Sequence, residues 1–190
     1  MKKLRISFSP AMLILVVCMI ATTPMPQLCA CFSAATIHEL GHIAAAKLLG
    51  INLSHLKLDV LGARLDVTGH LCSYPAMVAL CAAGPLINFV CFALVLPFSE
   101  QVGWINEFCM ASLSLGILNL IPIQGFDGGR IVHGILSSIL PVETVDRICA
   151  WLGFISLICM WMLSVWLILR TASSLTLFVF SCCLFGMLFV

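Results

Sequence analysis

The sequence predicts an all-α polytopic membrane protein of about six transmembrane helices, with a short β-hairpin after the second. Three observations carry that expectation. Hydrophobic residues make up 62% of the 190 and charged residues 9%, a balance that a water-soluble domain of this length could not place on its surface. The apolar residues are grouped in runs long enough to cross a bilayer, separated by short polar breaks. One break, residues 51–73, alternates apolar with charged residues instead. The net charge of +1 supplies no basic field, and the sequence has no glycine-rich phosphate loop, so no nucleic-acid partner is expected.

The chain divides into residues 1–27 (a first span and its connection), 28–140 (a core of three spans, a hairpin and a short helix) and 141–190 (two C-terminal spans). Lys2, Lys3 and Arg5 precede an apolar run from about Phe8 to Ala21, read as a retained first span rather than a cleaved signal. Leu28-Cys29-Ala30-Cys31 looks like a lipoprotein cleavage box, but cleavage there would strip the next helix of the start of its apolar run. That second span, about Leu28 to Leu49, ends at Gly50 and Asn52, which are C-terminal helix signals.

In residues 51–73, Leu56, Leu58 and Val60 alternate with Lys57 and Asp59, and Leu65 and Val67 alternate with Arg64 and Asp66. With a turn at Gly62-Ala63 this reads as a β-hairpin whose edge could pair with an extended peptide. A third span, about Tyr74 to Phe98, contains Gly84-Pro85 and, four residues after the glycine, Asn88. A fourth, about Trp104 to Ile121, leads into Pro122, Gly125 and Gly128-Gly129, which break the helix where Asp127 appears. The helix then continues through Ile131 to Leu140. From Arg147 to Val190 the stretch is too long for one span and is read as two, turning near Arg170.

Within the second span lies Ile37-His38-Glu39-Leu40-Gly41-His42. Residues four apart on a helix fall ~40° from each other around the axis, so both imidazoles can reach one Zn²⁺. Glu39 lies beside the metal, placed to take a proton from bound water. On a polar helix such a triplet is an ordinary solvated face. Here Ala34, Ala35, Ile37, Ile43, Ala44 and Ala45 flank it, and ionisable groups at bilayer depth are kept only when paired, metal-bound or in a wet cavity.

Asp127 on its own reads as a helix cap. Beside the histidine pair it is the natural third ligand, because two histidines leave a catalytic zinc one protein ligand short. Asn88 and Asn119 are either interhelical glue or part of the wall of the metal cavity. His133 lies near Asp127 in sequence and could approach the metal, while His55 and His70 read as surface or interfacial.

The eleven cysteines include no C-x-x-C pair, and most read as small hydrophobes packed between helices. Six spans with a cytosolic N-terminus put eight of the nine basic residues, all but Arg170, on the cytosolic side. His42 and His38 then lie roughly 7 to 14 Å along the helix from Lys47 at its cytosolic end.

With His38-Glu39-Leu40-Gly41-His42, Gly84-Pro85 with Asn88, and Asn119-Leu120-Ile121-Pro122 followed by Asp127-Gly128 in order, the chain resembles the site-2 protease family of intramembrane zinc metalloproteases. The resemblance covers residues from about 28 to 140. It implies one zinc held by His38, His42 and Asp127, water activated by Glu39, and substrate held by Asn119 and, in a less clear role, Asn88. It further implies a membrane-tethered protein substrate within the lipid bilayer, with regulatory membrane partners or a second copy of the chain as further partners.

The compact plan looks most like the sporulation branch, whose members release transcription-factor precursors. That would place the chain in a bacterial cytoplasmic membrane. Members of that branch often carry a C-terminal nucleotide-sensing domain, whereas this chain ends in an apolar run. A PDZ insertion, the mark of the stress-response branch, is not found either. Two rival classes are a zinc-binding membrane transporter and a non-catalytic scaffold. A transporter would string ionisable residues along a path, and a scaffold would be expected to lack Glu39.

Overall fold

A computed structural model describes residues 5–8, 16, 17, 19–21, 23–51, 53–59, 62–67, 73–100, 102–171 and 182. The chain is mostly helical. In order the elements are β1 (Arg5–Phe8), α1 (Met25–Leu48), β2 (Leu53–Asp59), β3 (Gly62–Val67), α2 (Tyr74–Val95), a 3₁₀ turn (Leu96–Phe98), α3 (Gly103–Leu120), α4 (Asp127–Ser137) and α5 (Val142–Thr171).

Three helical stretches among the described residues are long and apolar enough to cross a membrane: Met25–Leu48, Tyr74–Phe98 and Val142–Arg170. Only 22–28% of their apolar windows is buried within the protein, so most of each surface faces outward, and outward-facing apolar surface on this scale calls for lipid. Leu86, Leu94, Trp151 and Leu169 are among the large side chains so exposed. The molecule is an integral membrane protein.

Of the six expected spans, three stand out among the described residues. The expected fourth, at α3, forms an 18-residue helix but is not among the three. Asn106, Glu107 and Asn119 dilute its hydropathy, and its inner face, Phe108, Cys109, Ser112 and Gly116, is buried in the protein. The expected first span differs at its start, because Phe8 closes strand β1. Most of the rest of that run, and almost all of residues 172–190, lie outside the described residues. Helix α5 begins five residues before Arg147 and ends at Thr171, next to the expected turn.

The extramembrane stretch differs in detail too. A three-stranded sheet has the order β1-β2-β3, so β2 is central, parallel to β1 and antiparallel to β3. Gly62 and Ala63, expected to form the turn, lie inside β3 opposite Asp59 and Leu58. The ladder runs to the Asp59–Gly62 pair, so the expected turn residues are strand residues. The addition of β1 was not legible locally, since four residues preceding an apolar run acquire a strand partner about fifty positions away.

Helices α1, α2 and α3 pack against one another, α4 packs on α2, and α5 packs on α4. Ala30 and Ala34 of α1 meet Phe108 of α3, with Ile37, Cys91 and Leu115 around them. Small residues on α1 let the helix axes approach, as they do in membrane interiors, where apolar burial supplies little drive. A second cluster, Ile123 and Phe126 against Leu157 and Met160, pins the loop after α3 onto α5. That loop carries the chain to Asp127. Among the described cysteines, Cys81, Cys109 and Cys149 are buried and Cys29, Cys159 and Cys182 exposed.

Candidate metal centre

His38 and His42 lie one turn apart on α1 and are 4% and 5% exposed. Their rings meet nearly edge to face, at 83° with centroids 4.8 Å apart. Asp127 opens α4 and is 6% exposed. Its Oδ2 lies 3.0 Å from His38 Nε2 and 3.1 Å from His42 Nε2, and the two Nε2 atoms are 3.2 Å apart. Three atoms from residues 85 and 89 positions apart in the chain thus form a nearly equilateral triangle.

The local sequence explains how Asp127 arrives there. Ile121 leaves the α3 helix in an extended conformation, and Gly125 adopts φ 105°, a left-handed value that favours glycine. Phe126, buried against α5, fixes the entry to α4. A side chain at Gly128 would run into the Leu120 carbonyl, and one at Gly129 into the Ile123 carbonyl. The double glycine therefore lets the first turn of α4 lie directly on the loop backbone. The N-cap position of α4 is Phe126, and Asp127 follows it as the first helical residue, with its carboxylate on the histidines. The positive end of the α4 dipole favours that carboxylate as an anion.

The histidine tautomer is fixed from behind. His42 Nδ1 lies 2.8 Å from the Leu80 carbonyl of α2, and a carbonyl only accepts. Nδ1 therefore carries the proton and donates it, which leaves a lone pair on Nε2 of the neutral ring. That lone pair faces the second Nε2 and a carboxylate oxygen at 3.1–3.2 Å, so the trio has more electron pairs than protons to share. A cation at the centre resolves the repulsion.

The donor set fits zinc. Bonds of 2.0–2.2 Å at tetrahedral angles separate ligand atoms by ~3.3 Å, close to the triangle observed. The three residues group as buried ligands able to hold one metal ion. Gly84 of α2 completes the cradle: a Cβ there would sit 2.7 Å from His38 Nε2 and closer still to His42 Nε2, in the space before the ligand atoms. Gly41, between the histidines, likewise lets α1 approach Ile87 and the Ala83 backbone of α2. Sequence reasoning took Gly84-Pro85 with Asn88 as one motif of the family resemblance and missed this contact. The available signal was the i, i+4 spacing of Gly84 and Asn88, which puts them on one face of α2.

Of the other expected site residues, Glu39 is half-buried on α1, next to His38 in the chain. Asn88 is fully buried, with its amide nitrogen 3.2 Å from His38 Nδ1. Asn119 is half-buried near the end of α3, donating to the Leu115 carbonyl of its own helix at 3.1 Å. His133 does not join the metal group. Its Nε2 lies 3.1 Å from Asp146 of α5, and its Nδ1 3.4 Å from Ser137. The side chain of His55 and the whole of His70 lie outside the described residues.

Residues 99–162 match the family described as Peptidase family M50. A zinc metalloprotease of Methanocaldococcus jannaschii is 30% identical over 135 residues, which are 64% of this chain and 38% of that protein. The chain thus spans well under half the length of that curated relative. The solved structure of a site-2 protease from the same organism superposes with a TM-score of 0.67 at 22% identity, covering 93% of this chain and 88% of that one. With a buried His-His-Asp group that fits zinc, the fold of a solved site-2 protease and a partial match to the M50 peptidase family, the chain is similar to the site-2 protease family of zinc metalloproteases.

Proposed function

We propose that the protein hydrolyses a peptide bond in or near the transmembrane segment of a membrane-tethered protein. In this reading His38, His42 and Asp127 hold one zinc ion, Glu39 is the general base, and residues 28–140 form the catalytic core. The observation that carries it is the convergence of the three ligand atoms at 3.0–3.2 Å, with a carboxylate next to His38 on the same helix. Zinc held there supplies a Lewis acid that lowers the pKa of water and polarises a carbonyl.

The chain's own residues do the rest. Leu80 keeps His42 in the ligating tautomer, and Glu39 takes the proton of the attacking water and returns it to the leaving amine. Asn119, at the end of α3, turns its amide from the Leu115 carbonyl to the backbone of the substrate. A helix hides its carbonyls in its own hydrogen bonds, so the substrate unwinds locally before it is cut. The outer edge of β3 holds it extended, since β1 and β3 already flank β2.

The basic residues before α2, Lys2, Lys3, Arg5, Lys47, Lys57 and Arg64, support a cytosolic N-terminus and cleavage towards the cytosolic side. Pairing of β1 with β2 supports a crossing before α1, because two crossings return the chain to the side from which it started. A transcription-factor precursor in a bacterial cytoplasmic membrane is the substrate class that the family resemblance favours, with regulatory membrane proteins or a second copy as further partners.

Glu39→Gln tests the proposal. The amide keeps the side chain's size and leaves the three ligands in place, so zinc content should stay at the wild-type level. It cannot accept the proton, so cleavage of a single-pass membrane substrate should fall by roughly 10² to 10⁴, the usual share of general-base catalysis. Uncut substrate should co-purify with the variant. A Glu39→Gln protein that holds zinc and cleaves at the wild-type rate overturns the assignment.

A further inference from the structure

Asn88 is 0% exposed, and its side chain reaches the rear nitrogen of a zinc ligand, with Nδ2 3.2 Å from His38 Nδ1. Its Oδ1, equally buried, has no hydrogen-bond partner. A buried acceptor left without a partner costs about 1–3 kcal/mol, so an explanation is called for. The His42 side of the site shows what is missing, because there a carbonyl oxygen accepts from Nδ1 and frees Nε2.

With the nitrogen end of the amide towards it, His38 Nδ1 must be the acceptor. The proton of the neutral ring would then sit on Nε2, the atom that faces Asp127 and His42. That tautomer cannot ligate through Nε2. The two ends of a carboxamide have the same shape, and turning this one about breaks no bond of Oδ1, which makes none. Oδ1 then accepts from Nδ1–H, and both rings present bare Nε2 atoms to the same point.

We propose that Asn88 is a positioning residue that holds His38 in its metal-ligating tautomer by accepting, through Oδ1, a hydrogen bond from Nδ1–H. It does for His38 what the Leu80 carbonyl does for His42. This assigns Asn88 to the metal rather than to substrate, and it rests on the zinc site proposed above. Helix α2 then supplies all three supports of the centre, with Leu80 behind one ring, Asn88 behind the other, and Gly84 between them.

The test is metal affinity, measured on the purified chain in detergent by competition against a chromophoric chelator. Asn88→Leu fills the same space without an acceptor, and its zinc affinity should fall 10- to 100-fold, as it does when other outer partners of metal-bound histidines are removed. Asn88→Asp can only accept when ionised, so it should bind zinc within a few-fold of wild type or more tightly. Substituted Co²⁺ should give the wild-type visible spectrum in the Asp variant and an altered one in the Leu variant.

An Asp variant that loses 10-fold or more means that Asn88 donates to Nδ1, and overturns the proposal. So does a Leu variant that binds as wild type does, which would make Asn88 a packing residue. If Asn88→Leu does not fold, the Asp variant alone decides. A His38→Ala, His42→Ala double variant run alongside separates the two readings. If it retains wild-type zinc, the site itself is misplaced; if it loses zinc while both Asn88 variants keep it, only the role of Asn88 fails.

Discussion

Gly84 shows how much of this centre is set by a missing side chain. A metal-ligand triangle needs open space on one side for the ion and its water, and a Cβ at Gly84 would stand in that space, 2.7 Å from His38 Nε2. Gly84→Ala should therefore lower zinc affinity by at least 10-fold while the helices stay intact, measured by chelator competition and circular dichroism. Gly116→Ala is the control: it meets only the Phe89 ring at 3.0–3.4 Å, which can shift, and should keep its zinc. Equal zinc in both variants would remove Gly84 from the cradle. At this scale the sequence brought out the three residues that the fold gathers and was silent about what stands behind them. The i, i+4 histidines are a local pattern, and an acidic residue at a helix break in an apolar chain has few other uses. The Leu80 carbonyl leaves no trace in the side-chain sequence, and the contact of Asn88 with His38 spans 50 positions. Asn88 could therefore be read only as glue or cavity wall.

Among the elements, the short helix α4 owes its position to the loop before it, and the sheet owes its membership to the N-terminus. The alternation at residues 56–67 was legible because period-two patterning is local, but the site of the turn was not, since Gly62 carries a ladder partner in Asp59. The pairing also changes which edge can receive a substrate. A proline at Leu58 would damage the central strand, whereas β3 has an outer side. Successive residues of a strand direct their N–H groups to opposite sides, so of Arg64→Pro and Leu65→Pro one removes an outward donor and the other a bond to β2. The outward variant should lower cleavage several-fold with zinc content unchanged. Wild-type cleavage of a membrane substrate by both would remove the β3 edge from substrate binding.

For the whole molecule, three of the six expected spans stand out among the described residues, and α3 does not. Runs of apolar residues register equally whether they face lipid or a neighbouring helix, and α3 buries Phe108, Cys109 and Ser112 between α1 and α2. What the sheet adds is a constraint on sidedness. Parallel strands must be joined by a crossover, and between β1 and β2 that crossover contains the whole of α1. If α1 spans the bilayer, the crossing proposed before it lets β1 and β2 share one side. In the proposed orientation that side is the cytosol. Single cysteines at positions 5 and 57, in a background with the native cysteines replaced, should therefore both react with a membrane-impermeant maleimide only in inverted vesicles. A cysteine at position 100, in the acidic loop after α2, should react only in right-side-out cells. Labelling of positions 5 and 57 from opposite sides would break the sheet, and labelling of both from outside would invert the protein and place the His38–His42–Asp127 centre near the outer surface instead.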